Sequence, residues 1–222
     1  MKTKKIKNFV ISAALLISFV LFTFLVKFID VKSIGPQQSS VGLATINAWV
    51  HELFGENMTL YNITDWASVL AILIAFGFAI LGLCQLIKRR SLLKVDSSIL
   101  VLGGFYMLVF GAYLLFEICI VNYRPILING VLEASYPSST TILVMCIMPT
   151  AMMQFHRLIK NNKVIKTVNI CCGVFIGLMV VVRLLSGVHW FTDILGGALL
   201  SAALVMLYFA GNELIDAKKC NE

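Results

Sequence analysis

Six long apolar stretches constrain this chain more than any other feature of its sequence. They cover residues 9–28, 66–87, 99–121, 138–155, 168–185 and 191–210. Each is close to the roughly 20 residues that an α-helix needs to cross a bilayer. Backbone surrounded by lipid must satisfy its hydrogen bonds internally, so the stretches predict helices. We therefore expect an all-α, polytopic membrane protein with six transmembrane helices in a bundle.

The composition favours the same class of protein. Hydrophobic residues make up 59% of the chain and charged residues 13%, against about 25% charged residues in soluble domains. The length of 222 residues fits one domain. We expect residues 1–222 to form a single membrane domain with one long extracytoplasmic loop, at 30–65.

An amphipathic segment lies within that loop. In residues 44–54, Ile46, Trp49, Val50 and Phe54 recur at helical spacing. This pattern is compatible with a helix that lies on the membrane surface. A plain connector between two spans explains it equally well, and the sequence does not decide between the two.

Lysine and arginine residues predict the orientation, because cytoplasmic loops are enriched in them. Fourteen of the eighteen basic residues flank one set of helix ends. They are Lys2, Lys4, Lys5, Lys7, Lys88, Arg89, Arg90, Lys94, Arg157, Lys160, Lys163, Lys166, Lys218 and Lys219. Both termini are therefore expected in the cytoplasm. The net charge of +7 is a topology signal and predicts no nucleic-acid partner.

Few polar residues remain that could carry chemistry. They fall in three segments, 122–125, 136–141 and 183–193, at the outer ends of the last four apolar stretches. The predicted topology brings all three to one membrane face. The six cysteines show no spacing typical of a zinc site.

His189 and Asp193 form the first candidate pair. The two residues are four positions apart at the start of a predicted helix, so their side chains project from one face. The carboxylate can hold one imidazole nitrogen and leave the other free to attack an electrophile. Interfacial polar residues without a catalytic role are the plainer interpretation of this pair alone.

Arg124, Arg183, Ser138 and Ser139 point to an anion. Guanidinium groups at neighbouring helix ends can fork around phosphoryl oxygens. Pro137 followed by two serines gives a helix N-terminus suited to a phosphate. Snorkelling arginines and an ordinary helix cap explain these residues one at a time. Together with the histidine they predict a phosphate site with a histidine nucleophile.

In order and spacing these segments resemble the three-part signature of the type 2 phosphatidic acid phosphatases, a family related to vanadium-dependent haloperoxidases. Its third motif is Ser-Arg, five residues, His, three residues and Asp. Arg183, His189 and Asp193 match that motif, and Val182 stands at the serine position.

The other two motifs are matched in part. The first is Lys, six residues and Arg-Pro, which appears as Arg124-Pro125 with Glu117 at the lysine position. The second, Pro-Ser-Gly-His, appears at 137–140 with Thr140 in place of the histidine that protonates the leaving group in the family.

The resemblance implies a role for each matching residue. It makes His189 the nucleophile that forms a phosphohistidine, Asp193 its orienting partner, and Arg124, Ser138 and Arg183 phosphate ligands. It leaves Thr140 an accessory position at most. The implied activity is that of a membrane lipid phosphatase that needs no metal or other cofactor. Its implied substrates are lipid phosphates or diphosphates such as phosphatidate, phosphatidylglycerol phosphate or polyprenyl diphosphate.

Thr140 suggests which of these substrates is favoured. General acid catalysis typically contributes about 10²–10⁴-fold, and a lipid alkoxide leaves poorly without it. The group that departs from a diphosphate is a phosphate monoester with a second pKa of about 6, so it needs little protonation. We expect a preference for diphosphates, with polyprenyl diphosphate favoured.

Two other classes of function remain open. The first is a catalytically weakened lipid-phosphate-binding protein, which the joint loss of the motif lysine and histidine favours. The second is a transporter, but transporters usually carry polar or charged residues near the bilayer midplane. The charged residues of this chain lie at helix ends.

Overall fold

The computed structural model describes the backbone of residues 2–219 and the side chains of residues 6–215. Seven α-helices lie within this range. They are α1 (Lys2–Phe28), α2 (Ala44–Phe54), α3 (Met58–Arg89), α4 (Ser97–Ile118), α5 (Ser139–Leu158), α6 (Asn162–Leu185) and α7 (Phe191–Lys219). Five of the predicted cytoplasmic lysines have side chains outside the described residues: Lys2, Lys4, Lys5, Lys218 and Lys219.

The predicted all-α membrane architecture is confirmed. Between residues 2 and 219 the only extended pairings are three isolated bridges in loops. Five of the described helices, α1, α3, α4, α6 and α7, are long and apolar enough to cross a membrane. The one remaining predicted span, at 138–155, corresponds to α5, which has 20 residues but is less apolar than these five helices. Its polar residues Thr150 and Gln154 are 0% and 1% exposed.

The polar residues of α5 are accommodated because this helix lies at the centre of the bundle. It packs against α3, α4, α6 and α7. Gln154 Nε2 donates hydrogen bonds to the carbonyl oxygen of Ser98, 3.1 Å away, and to the hydroxyl of Tyr208, 2.6 Å away. Thr150 Oγ1 donates to the carbonyl oxygen of Cys146 in its own helix. Hydrogen bonds within the protein replace those that lipid cannot provide.

The predicted loop at 30–65 is shorter than expected, because α3 begins at Met58. Asn57 caps this helix, and its side chain accepts a hydrogen bond from the Leu60 amide at 3.0 Å. Hydropathy missed the first two turns of α3 since they contain polar residues such as Asn62 and Asp65.

Residues 44–54 form the helix that their amphipathic pattern indicates. The face that packs on the protein consists of Ala44, Asn47 and Val50. The exposed apolar side chains are Ile46, Trp49, Leu53 and Phe54. Val50 shares the helical spacing of the apolar residues Ile46, Trp49 and Phe54 but lies in the buried face, because it is three residues from Asn47 and six from Ala44 on the helix.

Two glycines of α7 let the start of α5 approach that helix closely. A Cβ atom at Gly196 would lie 2.5 Å from the Tyr136 ring, and one at Gly197 would lie 3.1 Å from the carbonyl oxygen of Ser138. Tyr136 is 2% exposed. The small residues therefore set the distance between Ser138 and the helix that carries Asp193.

Substitution at Gly196 tests this close approach. We expect Gly196→Ala to lower the free energy of unfolding by about 1–3 kcal/mol, the usual range for overpacking. The measurement is the thermal unfolding midpoint of the detergent-purified protein. Gly211→Ala is the matched control, because it lies in the same helix and its Cβ would meet nothing within 4 Å. An unchanged or higher midpoint for Gly196→Ala would contradict the account.

Candidate active site

The three polar segments meet at one end of the bundle. The backbone amide of Ser138 donates a hydrogen bond to the carbonyl oxygen of Asp193 at 3.0 Å, which ties the start of α5 to the start of α7. Arg124 Nη1 lies 3.0 Å from His189 Nε2, which ties the loop after α4 to the loop before α7. Arg183 occupies the last turn of α6 at the same end.

The contact with Arg124 fixes the proton position on the His189 ring. A guanidinium group can donate hydrogen bonds but cannot accept them. Nε2 of His189 must therefore be the acceptor in the 3.0 Å contact, and the ring proton lies on Nδ1. The lone pair of a buried imidazole nitrogen thus faces the cationic part of the site.

Asp193 lies on the other side of the imidazole. Its Oδ2 atom is 3.6 Å from His189 Nδ1 and accepts a hydrogen bond from the Trp190 amide at 2.9 Å. The longer distance exceeds a normal hydrogen bond. His189 itself precedes the first residue of α7, Phe191, and does not lie within the helix as predicted. Asp193 is completely buried in the first turn.

The two arginines converge on the ring of Tyr61. The guanidinium carbons of Arg183 and Arg124 lie 4.4 Å and 5.8 Å from the centroid of this ring. Arg183 Nη1 also donates a hydrogen bond to Thr64 Oγ1 at 3.0 Å. Tyr61 and Thr64 belong to the first turns of α3, which the sequence assigned to a loop.

The positive charge of the site is incompletely balanced. Arg124 and Arg183 are 7% and 1% exposed, and the Nε atom of each is buried without a hydrogen-bond partner among the described residues. Each arginine has a carboxylate within 4 Å. The half-exposed Glu133 lies 3.0 Å from Arg124 Nε but is poorly oriented for a hydrogen bond, and the exposed Asp65 lies 3.9 Å from Arg183 Nη2. A buried donor without a hydrogen-bond partner is costly. An anion bound between the guanidinium groups would accept these hydrogen bonds.

The same environment keeps His189 neutral. Burial is the main cause, and the charges of Arg124 and Arg183 add to it, so that the pKa of His189 is held well below its ordinary value. A neutral imidazole retains the lone pair that a nucleophile requires.

The start of α5 supplies the remaining predicted residues. Ser138 is the N-cap, completely buried, and its Oγ atom accepts a hydrogen bond from the Thr141 hydroxyl at 3.0 Å. Ser139 and Glu117 line a small cavity together with His189. Thr140 does not line that cavity and instead faces a larger one between α3, α4 and α5. The first amides of α5 are suited to binding an anion.

Sequence reasoning missed the residues of α2 that hold the loop between α6 and α7, which carries His189. Asn47 of α2 is fully buried, and its Oδ1 atom accepts a hydrogen bond from the Thr192 amide at 3.1 Å. Its Nδ2 atom donates to the Thr192 hydroxyl and to the Gly42 carbonyl oxygen, both at 2.9 Å. Asn47 therefore caps the N-terminus of α7 next to Asp193. A polar residue on the apolar helix at 44–54 was the signal available in the sequence.

Residues 55–57, which follow α2, pack against the same loop. We give the name outer brace to residues 42–57, which comprise α2, the two residues before it and these three residues after it. A Cβ atom at Gly187, whose φ is +64°, would lie 1.8 Å from the Gly55 carbonyl oxygen. The amide of Asn57 donates a hydrogen bond to the Ser186 carbonyl oxygen at 2.9 Å. The outer brace therefore contacts both sides of His189, at Ser186 and Gly187 before it and at Thr192 after it.

Comparison with known proteins identifies the family. A sequence model described as the PAP2 superfamily matches residues 104–214, half of the chain. The chain belongs to the PAP2 superfamily. The matched range contains every predicted site residue from Arg124 to Asp193. No curated protein matched the chain.

A solved structure supports the fold of this PAP2 protein. It is the crystal structure of a transmembrane PAP2-type phosphatidylglycerolphosphate phosphatase from Bacillus subtilis. The TM-score is 0.61 at 20% sequence identity, and the likeness covers 92% of this chain and 96% of that chain. At this identity the two share a fold, and the substrate does not follow.

The titration of His189 tests the electrostatic description of the PAP2 site. Protonation would place a cation in a buried site, beside two guanidinium groups, so the folded protein must resist it to a pH well below the ordinary histidine pKa. We expect the ring nitrogen resonances of His189 to remain those of a neutral imidazole at pH 6. The measurement is nitrogen NMR of histidine-labelled protein, with His189→Ala to assign the signal. A midpoint at or above the ordinary value of about 6.5 would contradict the account.

Proposed function

We propose that this PAP2 protein is a membrane lipid phosphatase that hydrolyses a lipid diphosphate, with polyprenyl diphosphate favoured, through a phosphohistidine at His189. The observation that carries the proposal is the pair of buried arginines, Arg124 and Arg183, each with an Nε donor that lacks a hydrogen-bond partner among the described residues, together with the 3.0 Å contact between Arg124 and His189 Nε2. A phosphoryl group can accept these unmade hydrogen bonds, and the imidazole is the nucleophile in reach. The proposed chemistry needs no metal ion or other cofactor.

Substrate binding frees the nucleophile in this mechanism. The terminal phosphate of the lipid binds between the two guanidinium groups and the N-terminus of α5, where Ser138 and Ser139 lie. Arg124 turns its donor from His189 Nε2 to a phosphate oxygen. The lone pair of Nε2 then faces the phosphorus atom.

Two displacement steps complete the reaction. In the first, a bond forms between His189 Nε2 and the terminal phosphorus as the bridging P–O bond breaks, and the lipid monophosphate leaves with the bond's electron pair. Asp193 stabilises the positive charge that develops on the imidazole. In the second step, water attacks the phosphorus and the P–N bond breaks. Inorganic phosphate leaves, the water proton is released, and the neutral histidine is restored.

The position of Thr140 supports the preference for diphosphates. Its side chain lines the cavity between α3, α4 and α5 and not the small one that His189 lines, and a threonine hydroxyl does not replace the histidine that protonates the leaving group in the family. A phosphate monoester leaves from a diphosphate without such help, whereas an alkoxide does not. Phosphatidate should therefore be the poorer substrate.

We further propose that the site faces the extracytoplasmic side. The segments that form it lie at the bundle end opposite to the helix ends that carry Lys88, Arg89, Arg157 and Lys163. Enrichment of basic residues at those ends supports a cytoplasmic location for them. Both termini are then cytoplasmic.

Phosphate release is the experiment that tests the proposed activity. Detergent-purified protein is incubated with polyprenyl diphosphate or phosphatidate in the presence of a metal chelator, with His189→Ala as control. We expect release from the diphosphate at least about 10²-fold faster than from phosphatidate, the lower limit for a missing general acid. The mutant should release none.

Either of two results would count against the proposal. Equal rates on the two lipids would contradict the leaving-group argument. Release no greater than that of the His189→Ala protein from either lipid would favour the second candidate, a lipid-phosphate-binding protein. The observation that favours this candidate is Glu117, an exposed carboxylate at the lysine position that lines the cavity beside His189.

The outer brace should act on turnover more than on binding. Asn47→Ala removes the cap of α7 but no group that contacts the phosphate. We expect kcat to fall by about ten- to a hundred-fold with KM nearly unchanged, because Asp193 and His189 lose their alignment. Steady-state kinetics on the diphosphate measure both constants. The control is Asn62→Ala, an exposed asparagine of α3, and an equal loss in both variants would refute the positioning role.

A further inference from the structure

Glu117 lies in the last turn of α4 and faces the small cavity that His189 also lines. The cavity has a volume of about 10 Å³, which is room for about one water molecule. Tyr113 and Ser139 contribute to the same wall. The carboxylate and the imidazole therefore border a common space of the size that one attacking water molecule needs.

The turn that carries Glu117 is anchored on both sides. The ring of Phe116 packs edge-on against the ring of Tyr136, with the two centroids 6.0 Å apart and an interplanar angle of 75°. Lys27 Nζ donates a hydrogen bond to the carbonyl oxygen of Ile120 at 2.9 Å. The backbone of Glu117 is thus fixed relative to the start of α5, while its side chain is exposed to solvent.

Tyr113 orients the carboxylate of Glu117. The two residues are four positions apart on one face of α4, and their side chains share a hydrogen bond. A phenol hydroxyl donates to a carboxylate, and the lone pairs that remain on the carboxylate can accept a proton from water. Glu133 and Arg124 are the other charged groups that act on Tyr113 at this end of the bundle.

The other nearby carboxylates are placed differently. Asp193 is completely buried on the Nδ1 side of the imidazole, and Glu133 lies against Arg124 Nε at 3.0 Å. Neither lines the cavity of His189. Among the described residues, no lysine, arginine or histidine nitrogen lies within 4 Å of the Glu117 carboxylate. Its oxygens are therefore not paired with a cation and do not touch the imidazole itself.

We propose that Glu117 is the general base of the second displacement step. The inference rests on the proposed phosphatase function and adds a catalytic residue to it. Water in the small cavity attacks the phosphorus atom of the phosphohistidine and transfers a proton to the Glu117 carboxylate. The P–N bond breaks, its electron pair returns to His189 Nε2, and hydrogen phosphate leaves. The carboxyl group then loses its proton to the solvent to which Glu117 is exposed.

This role gives the negative charge at position 117 a function. A carboxylate beside the phosphate site weakens the binding of an anion, so as a ligand it is unfavourable. As a base it acts only after the lipid monophosphate has left. Thr140 does not line the cavity and its hydroxyl is a poor base. A positioned base typically contributes about 10²–10⁴-fold.

Glu117→Gln tests the proposal, because the amide keeps the size of the side chain but cannot accept the proton. With polyprenyl diphosphate we expect kcat to fall at least about 10²-fold. The first step, measured as the initial burst of lipid monophosphate, should keep its rate. Phosphohistidine at His189 should therefore accumulate, which mass spectrometry after an alkaline quench measures.

Glu133→Gln is the matched control, since it removes the same charge near Arg124 but from outside the cavity. It should accumulate no additional phosphohistidine. The proposal is overturned if Glu117→Gln turns over at the unmodified rate, if its first step slows as much as the second, or if both variants accumulate phosphohistidine equally.

Chemical rescue separates a base from a structural role. Glu117→Ala leaves space for a small carboxylate, so added formate should raise its turnover and lower its phosphohistidine level. Formate should not do so in Glu133→Ala. A defect that formate leaves unchanged, or corrects equally in both variants, would count against a base at position 117.

Failure of the phosphatase proposal gives a different result. The unmodified protein would then show neither turnover nor a phosphoryl group on His189. If the unmodified protein turns over through His189 and only the Glu117 variants behave as it does, the general base alone is refuted.

Discussion

The burial of two guanidinium groups beside one imidazole is the interaction on which the rest of the structure depends. Like charges do not assemble in a poorly hydrated place without compensation. Part of the compensation is built in, through the ring of Tyr61, the hydroxyl of Thr64 and the exposed carboxylate of Glu133. The remainder fits a phosphoryl group. Burial lowers the pKa of His189, the same positive field lowers it further, and the imidazole is thereby kept unprotonated.

The helices around this cluster hold the starts of α5 and α7 in fixed positions. Gly196 and Gly197 bring the start of α5 onto α7, and the Ser138 amide then bonds to the Asp193 carbonyl oxygen. The outer brace holds the histidine loop from the other side through Asn47. Since the exposed face of α2 is apolar, the segment that positions the loop also presents a surface suited to the membrane interface.

Local sequence patterns predicted some parts of the molecule, and other parts depend on contacts between residues far apart in the chain. Apolar runs gave the helices, because backbone hydrogen bonding in lipid leaves few alternatives. The predicted topology brought Arg124, Arg183, Ser138 and His189 to one end of the bundle, where the structure places them. The start of α3 was missed because its first turns contain polar residues such as Asn62 and Asp65, and because hydropathy does not register the cap at Asn57. The roles of Asn47 and Tyr61 depend on contacts between distant parts of the chain, which no local pattern encodes.

Detection of the covalent intermediate tests the central claim most directly. The protein is mixed with a polyprenyl diphosphate, quenched in alkali, where phosphohistidine is stable, and digested for mass spectrometry. The account predicts a phosphoryl group on His189 that is absent from His189→Ala. Turnover with no phosphoryl group on His189 at any quench time, or with the label on another residue, would contradict it.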